Sequence, residues 1–317
     1  MTPSTLSRRP ASEDQRQAAH GCLLGLSGNM DFVADLARLA GADLAQSGVA
    51  FHKKLLEDKP LAFYARYLEF RARRIAQKRR RVLFSDILSA GEKRARYGPA
   101  IDALAHASEH GEDLSRFQTK DIDHFTKPDL LFSDWSIHHL HLGAPQAAGR
   151  PSKRTNELLF VLVKETPEIC FIDIRDHRSF AEVELLETVE RNWPHLLDRF
   201  HIRNAKNLQP EPTAKDRELL RKAGIVTFVE LASGRILAPP GGGVTTARSS
   251  VNCMLRAQAT ARRLVQAERV VQAKSKRIRA SLKMAPHEEI HLMVYRGTYV
   301  VVGPSDGRNG VQIPILD

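Results

Sequence analysis

The chain has 317 residues and a formal net charge of +11, with 48 Lys and Arg residues against 37 Asp and Glu. Its composition, 42% hydrophobic and 27% charged, excludes a wholly disordered or acidic protein, and its length predicts about two domains. Three widely spaced cysteines without a CxxC motif exclude a disulfide framework and a cysteine-built zinc site.

The N-terminal part of the chain is predicted to be helical. Residues 1–13 are polar and contain two prolines, which predicts a flexible tail. From residue 14 onward apolar residues recur every three or four positions, as at Phe32, Leu36 and Leu39, which is the pattern of one helix face. We therefore expect a helical region over residues 14–128.

Three short apolar runs then predict strands: IHHLHL (137–142), LLFVLV (158–163) and ICFIDIR (169–175). The run FAEVELLETVER (180–191) has apolar residues three apart and predicts a helix that covers one face of the sheet. The overall fold class is therefore α+β. Residues 129–200 are predicted to form the catalytic domain, with a three-stranded antiparallel sheet.

The C-terminal region, residues 201–317, is predicted to contain hairpins and one long basic helix. Residues 225–231 and 236–238 predict one hairpin. The run IHLMVYRGTYVVV (290–302) predicts a second, with its turn at Arg296 and Gly297. The sequence PPGGG breaks the chain before the long helix.

The sequence predicts a cytoplasmic protein without a membrane partner. No stretch approaches the roughly 18 consecutive apolar residues of a membrane span. Residues 1–16 mix basic and acidic side chains and lack the apolar core of a signal peptide.

The positive charge is concentrated in two segments. The first basic segment, residues 66–81, has eight basic residues against Glu69 alone, and the second, residues 248–283, has ten against Glu268 alone. Clustered Lys and Arg favour a polyanion, because each contact with a phosphate releases a condensed counterion. The expected nucleic-acid contacts are Arg71, Arg73, Arg74, Lys78, Arg79, Arg80, Arg81, Arg262, Arg263, Arg269, Lys276, Arg277 and Arg279.

Other interpretations of the basic segments stay open. They are compatible with solvated helix faces and with an acidic protein partner. An anionic membrane is disfavoured, because neither segment is flanked by the Trp or clustered Phe of an interfacial helix.

Reactive side chains are densest in and beside the predicted sheet. Alternation along the first strand puts His139 and His141 on one face and His138 on the other, where it is expected to be buried. Metal-free cleavage of RNA needs a base for the 2′-hydroxyl, an acid for the leaving oxygen and a cation for the phosphorane. The candidate acids and bases are His139, His141 and His177, and the candidate cations are Arg154 and Arg175.

Two other interpretations fit the same histidines. An HxH pair on a strand can bind a divalent metal, with Asp173 or His177 as a third ligand and Asp134 or Asp176 behind the ligands. The histidines are also compatible with a purely structural role. The ribonuclease hypothesis, which needs no metal and no cofactor, favours RNA over DNA as the partner.

The order of these features resembles the core of the RelE and HigB toxin ribonucleases over residues 135–191. The shared features are a strand with HxLxLG, a basic loop with Arg154, the apolar strand LLFVLV, a strand that ends in RDHR, and a helix. The sheets of those toxins carry basic and His side chains that cut RNA. The resemblance implies an endoribonuclease of toxin or defence type.

A glycine-rich loop is the second candidate site. Consecutive glycines expose backbone N–H groups, and nearby hydroxyls and a helix start suit a phosphate, although a tight turn with a hydroxyl N-cap fits equally. No GK[ST] follows, which disfavours ATP hydrolysis. The expected phosphate contacts are Gly241, Gly242, Gly243, Thr245, Thr246 and Arg248.

Overall fold

The computed structural model describes residues 30–143, 152–205, 207–295, 298–303 and 310–312. The chain divides into two compact units: unit 1 combines Met1–Tyr64 with Arg256–Asp317, and unit 2 is Ala65–Leu255. The predicted tail lies outside the described residues. The predicted domain boundaries after residues 128 and 200 both fall inside unit 2.

The described residues form both helices and strands, so the fold is mixed α and β. The helices are α1 (Phe32–Gln46), α2 (Lys53–Asp58), α3 (Pro60–Arg73), α4 (Asp86–Ser89), α5 (Glu92–His110), α6 (Leu130–Trp135), α7 (Glu184–Asn192), α8 (Ala214–Lys222), α9 (Val251–Ala273) and α10 (Ser275–Ser281). The strands are β1 (Arg81–Phe84), β2 (Ile137–His141), β3 (Glu157–Val163), β4 (Glu168–Asp176), β5 (Val229–Glu230), β6 (Ile236–Leu237), β7 (His291–Tyr295), β8 (Thr298–Val302) and β9 (Gly310–Gln312).

Unit 2 contains a four-stranded mixed sheet of order β1-β4-β3-β2. Strands β2 and β3, and β3 and β4, pair antiparallel as predicted, whereas β1 runs parallel to β4. The prediction of a three-stranded antiparallel sheet is therefore wrong, because a fourth strand, β1, joins the sheet in parallel. Strand β1 has only four residues, directly after a basic run in a region of helical periodicity, so it shows no clear alternating pattern.

Helices cover both faces of this sheet. Ile101 and Leu104 of α5 lie in one apolar cluster with Leu159 of β3. Leu186 of α7 lies in the other cluster with Phe160 of β3. The predicted covering helix is confirmed, but it begins at Glu184, after a 3-10 turn over Ser179–Ala181.

Two short strands outside the main sheet of unit 2 pair as predicted. Strands β5 and β6 form an antiparallel pair, which confirms the first predicted hairpin.

Unit 1 has its own core around a second sheet. Strands β7, β8 and β9 pair antiparallel in that order, which confirms the second predicted hairpin. Its predicted turn at Arg296 and Gly297 lies outside the described residues. Phe32 of α1 and Leu264 of α9 pack with Leu292 of β7 in one apolar cluster. No helix in the described part of the chain is long and apolar enough to cross a membrane.

Candidate active site

A cleft of about 790 Å³ lies within unit 2. His139 of β2 and Phe180 of the 3-10 turn line it, together with His177 and Arg178 beyond the end of β4. Arg154, which precedes β3, lines it as well. Two further walls come from residues 127–131 and from one face of α8. Three of the five predicted catalytic side chains, His139, His177 and Arg154, therefore meet in one cleft.

His139 lines the cleft beside Phe180. The two ring centroids are 5.1 Å apart, and the Nδ1 atom of His139 is buried without a hydrogen-bond partner among the described residues. Burial lowers the pKa of His139, the nearby charge of Asp129 opposes this shift, and that of His177 adds to it. The imidazole is therefore held in its neutral form at neutral pH.

The other two histidines of β2 are buried. Burial lowers the pKa of both His138 and His141 to about 4. His138 packs against Phe132, with ring centroids 4.7 Å apart, as expected for a structural residue. His141 is not among the cleft-lining residues, and its Nδ1 accepts a hydrogen bond from the N–H of Thr155 at 3.3 Å.

Thr155 fixes the segment that carries Arg154. Its hydroxyl donates to the carbonyl of Glu157 at 2.6 Å and accepts the N–H of Leu142 at 3.0 Å. Together with the bond to His141, these contacts tie the segment to the end of β2. Arg154 itself is exposed and has no ion-pair partner in the described residues, so its guanidinium is available for an anion.

The turn after β4 is built by Asp176. Its carboxylate accepts the N–H of Arg178 at 2.8 Å and the hydroxyl of Ser179 at 3.3 Å. Asx turns of this kind fix the backbone locally. The turn places the exposed His177 ring 5.9 Å from Phe180 and 5.8 Å from His141, measured between ring centroids.

Arg175, predicted as a phosphate-stabilising cation, does not line the cleft. Its Nε donates to Asp173 at 2.7 Å, and its Nη1 donates to Glu182. Asp173 is fully buried and also pairs with Lys93 at 2.6 Å. Arg175 therefore neutralises internal carboxylates, and the structure gives it a stabilising position.

Helix α8 supplies cleft residues that the sequence did not indicate. Arg221 is buried and donates to Asp134 at 2.9 Å and to the carbonyl of Phe180 at 2.6 Å. Its guanidinium lies 4.7 Å from the ring of Trp135. Arg217 holds the same 3-10 turn through the carbonyl of Ala181, at 3.0 Å. These two arginines, four apart on one helix face, fasten the turn that carries Phe180.

The cleft lining is predominantly cationic. Seven Lys and Arg residues line it against three Asp and Glu residues. The cations are Arg73, Lys127, Arg154, Arg178, Lys215, Arg221 and Lys222, and the acids are Asp121, Asp129 and Glu218. Four of these cations pair with carboxylates: Lys127, Arg178, Arg221 and Lys222. Arg154 and Lys215 have no ion pair among the described residues and remain to attract an anionic ligand.

The metal interpretation finds no third ligand within the described ranges. No group of three or more His, Cys, Asp and Glu side chains is arranged there to hold a metal ion. The carboxylates that the sequence offered, Asp173 and Asp134, are engaged in ion pairs with Arg175 and Arg221.

The glycine-rich loop packs against the end of α6. Gly241 donates its N–H to the carbonyl of Asp134 at 2.7 Å, and Gly243 donates to that of Ser133 at 3.1 Å. A Cβ at Gly241 would lie 2.5 Å from the Ser133 carbonyl oxygen. Gly242, Thr245 and Arg248 also donate their N–H groups within the chain, and the side chains of Thr246 and Arg248 are exposed. Five of the six predicted phosphate contacts thus donate their N–H groups within the chain, and close packing explains the glycine at 241.

The two basic segments differ in how many of their cations are buried or paired within the chain. In the first, Arg73 and Arg80 are buried, and Arg74 and Arg81 pair with Asp123 and Glu168. The exposed members are Arg71, Lys78, Arg79 and Arg81 in the first segment and Arg262, Arg263, Arg269, Lys276 and Arg277 in the second. Arg279 is half-buried and donates to the carbonyls of Ala285 and Glu288.

No protein-family model, no curated protein and no solved structure matches the chain. The site is therefore interpreted from its own geometry.

Proposed function

We propose that unit 2 is a metal-independent endoribonuclease and that the cleft is its active site. The observation that carries this proposal is the meeting of His139, His177 and Arg154 in one cationic cleft, although they come from three separate parts of the sequence. The resemblance to the RelE and HigB toxins is a second support.

The residues take complementary roles in the proposed reaction. Neutral His139 accepts the proton of the ribose 2′-hydroxyl, and the 2′-oxygen attacks the phosphorus. The bond from phosphorus to the 5′-oxygen breaks, and His177 donates a proton to that leaving oxygen. Arg154 stabilises the charge of the phosphorane. The products are a 2′,3′-cyclic phosphate and a 5′-hydroxyl end.

Phe180 acts as a positioning residue in this arrangement. Its ring lies 5.1 Å from that of His139 and 5.9 Å from that of His177, measured between centroids. Its carbonyl is held by the buried Arg221. The imidazoles of His139 and His177 therefore both pack against Phe180, and this shared contact holds each ring in place in the cleft.

Cleavage of a labelled single-stranded RNA in EDTA tests the proposal. We expect cleavage by the wild type and a loss of at least about a hundredfold in His139→Ala and in His177→Ala, since general acid and base groups contribute about 10² to 10⁴ each. The matched control is His110→Ala, an exposed histidine on α5. RNA that is bound but left uncut by the wild type would reject the proposal and leave a nucleic-acid-binding protein.

A further inference from the structure

The second basic segment carries many exposed cations on unit 1. Leu264, Ala267 and Val271 of α9 are buried in the core of that unit, so the opposite side of the helix faces solvent. The exposed cations along α9, α10 and the residues after each are Arg256, Arg262, Arg263, Arg269, Lys274, Lys276, Arg277 and Lys283. We call this set the α9–α10 surface.

The cations of the α9–α10 surface have no ion-pair partners among the described residues. None of its eight side chains has an acidic partner in the part of the chain that the structure describes. Glu268, the one acid in this stretch, is half-buried and accepts the N–H of Phe32. Neighbouring like charges on a helix repel one another, and a bound polyanion removes that repulsion.

The shape of the surface suits an extended strand. Helix α9 has 23 residues, which corresponds to about 35 Å and hence to about ten stacked nucleotides at roughly 3.4 Å each. A shallow groove of about 470 Å³ runs along it, with Leu61 and Val265 among its apolar residues and Arg262 and Arg269 beside them. Arg forms bidentate contacts with phosphate and stacks on bases.

We propose that the α9–α10 surface is a binding site for the sugar-phosphate backbone of single-stranded polynucleotides. Five of the eight side chains are Arg. On α9, Arg256 and Arg263 stand seven residues apart on one side, and Arg262 and Arg269 stand seven apart on an adjoining side. This regular repeat favours a regularly charged strand over an acidic protein. A membrane surface is disfavoured, because the main apolar face of α9, formed by Leu264, Ala267 and Val271, is buried in the core of unit 1. The inference does not depend on catalysis in the cleft.

The test is the salt dependence of binding to a labelled oligonucleotide of about ten nucleotides with no 2′-hydroxyl, which the proposed reaction cannot cut. Arg262→Gln/Arg263→Gln/Arg269→Gln is compared with Lys53→Gln/Lys54→Gln/Lys59→Gln, which removes the same charge from exposed positions of unit 1. Loss of three phosphate contacts makes the slope of log K against log salt about 2 less negative. We expect that change and at least tenfold weaker binding in the Arg variant alone.

Three results would overturn the proposal. The first is a wild type that does not bind the oligonucleotide. The second is an equal loss of affinity in the Arg and Lys variants, which would show only a dependence on net charge. The third is equally tight binding of a polyglutamate peptide or of anionic phospholipid vesicles, with the same sensitivity to the Arg substitutions. Cleavage by His139 variants plays no part in these outcomes, so the two proposals can fail separately.

Discussion

The two basic segments have similar compositions and different structural roles. In the first, the guanidinium of Arg73 donates to the carbonyls of His124 and Lys127, and that of Arg80 donates to those of Ala76 and Lys78. Arg66 binds the carbonyls of Ala247 and Arg248 in the same way. In the second segment most cations are exposed and have no ion-pair partner among the residues that the structure describes. Net charge in a sequence therefore measures the number of cations and not the number available to a ligand.

The difference follows from the chemistry of Arg. Five N–H donors on one side chain can satisfy several backbone carbonyls where the chain lacks regular structure. Arg66 and Arg73 lie in α3 but reach carbonyls of irregular stretches, at residues 247–248 and 124–127. Arg80 lies in the irregular stretch between α3 and β1. The second segment lies largely within helices, where backbone carbonyls already accept helical hydrogen bonds.

Replacing one Arg of each segment by Ala tests this difference most directly. Arg73→Ala is expected to lower the free energy of unfolding by about 3 to 5 kcal/mol, because it leaves buried groups without partners. Arg269→Ala is expected to change it by less than about 0.5 kcal/mol, as a surface substitution does. Urea denaturation measures both, and comparable losses would contradict the distinction.

Two substitutions extend the comparison to the glycine-rich loop. Gly241→Ala forces a Cβ against the Ser133 carbonyl, which is expected to lower the free energy of unfolding by about 2 to 3 kcal/mol. Thr246→Ala, at an exposed position of the same loop, is expected to change it by less than about 0.5 kcal/mol. Thermal unfolding distinguishes them. A normally stable Gly241→Ala that loses binding of inorganic phosphate would restore the phosphate role of the loop.

The pH dependence of the free energy of unfolding tests whether His138 is a buried structural residue. The pKa of His138 is lowered to about 4, whereas the unfolded chain takes up that proton near pH 6.5. Its contribution to stability is therefore fully present above about pH 6.5 and is lost as the pH falls toward 4. In His138→Gln, the fall in the free energy of unfolding from pH 7 to pH 5 is expected to be about 2 kcal/mol smaller. An unchanged acid sensitivity, equal to that of the control His110→Gln, would contradict the assignment.

The smallest expected difference in the free energy of unfolding is between variants of Arg154 and Arg175. Arg175→Gln weakens the ion pairs with the buried Asp173 and the half-buried Glu182, and it is expected to lower the free energy of unfolding by about 1 to 2 kcal/mol. Arg154→Gln is expected to leave the free energy of unfolding within about 0.5 kcal/mol and to slow RNA cleavage by about tenfold to a hundredfold. Denaturation and cleavage assays on both variants check this. Faster cleavage by Arg154→Gln than by a folded Arg175→Gln would reverse their roles.

Much of the sheet could be predicted from sequence, because apolar runs and alternation report burial directly. Strands β2, β3 and β4 and their antiparallel pairing followed from these patterns. The same alternation placed His139 and His141 on one face and His138 on the other. Strand β1 escaped prediction because its four residues take their position from pairing with β4, which is distant in the sequence.

The cleft could be predicted only in part. His139, His177 and Arg154 were indicated by residue type, but their meeting depends on the turn at Asp176 and on the contacts of Thr155. The wall formed by α8 was not predicted, because residues 214–222 are mostly charged and contain too few apolar residues to define a buried helix face. Likewise, no local pattern separated Arg154, which faces the cleft, from Arg175, which pairs with internal carboxylates.

The most direct test of the active site is an analysis of the RNA ends produced in EDTA, at single turnover, by the wild type and by His139→Ala. The proposed roles predict 2′,3′-cyclic phosphate and 5′-hydroxyl ends from the wild type, and none above background from the variant. Ends of another chemistry, or equal cleavage by both proteins, would contradict the assignment of the cleft as a metal-independent ribonuclease site.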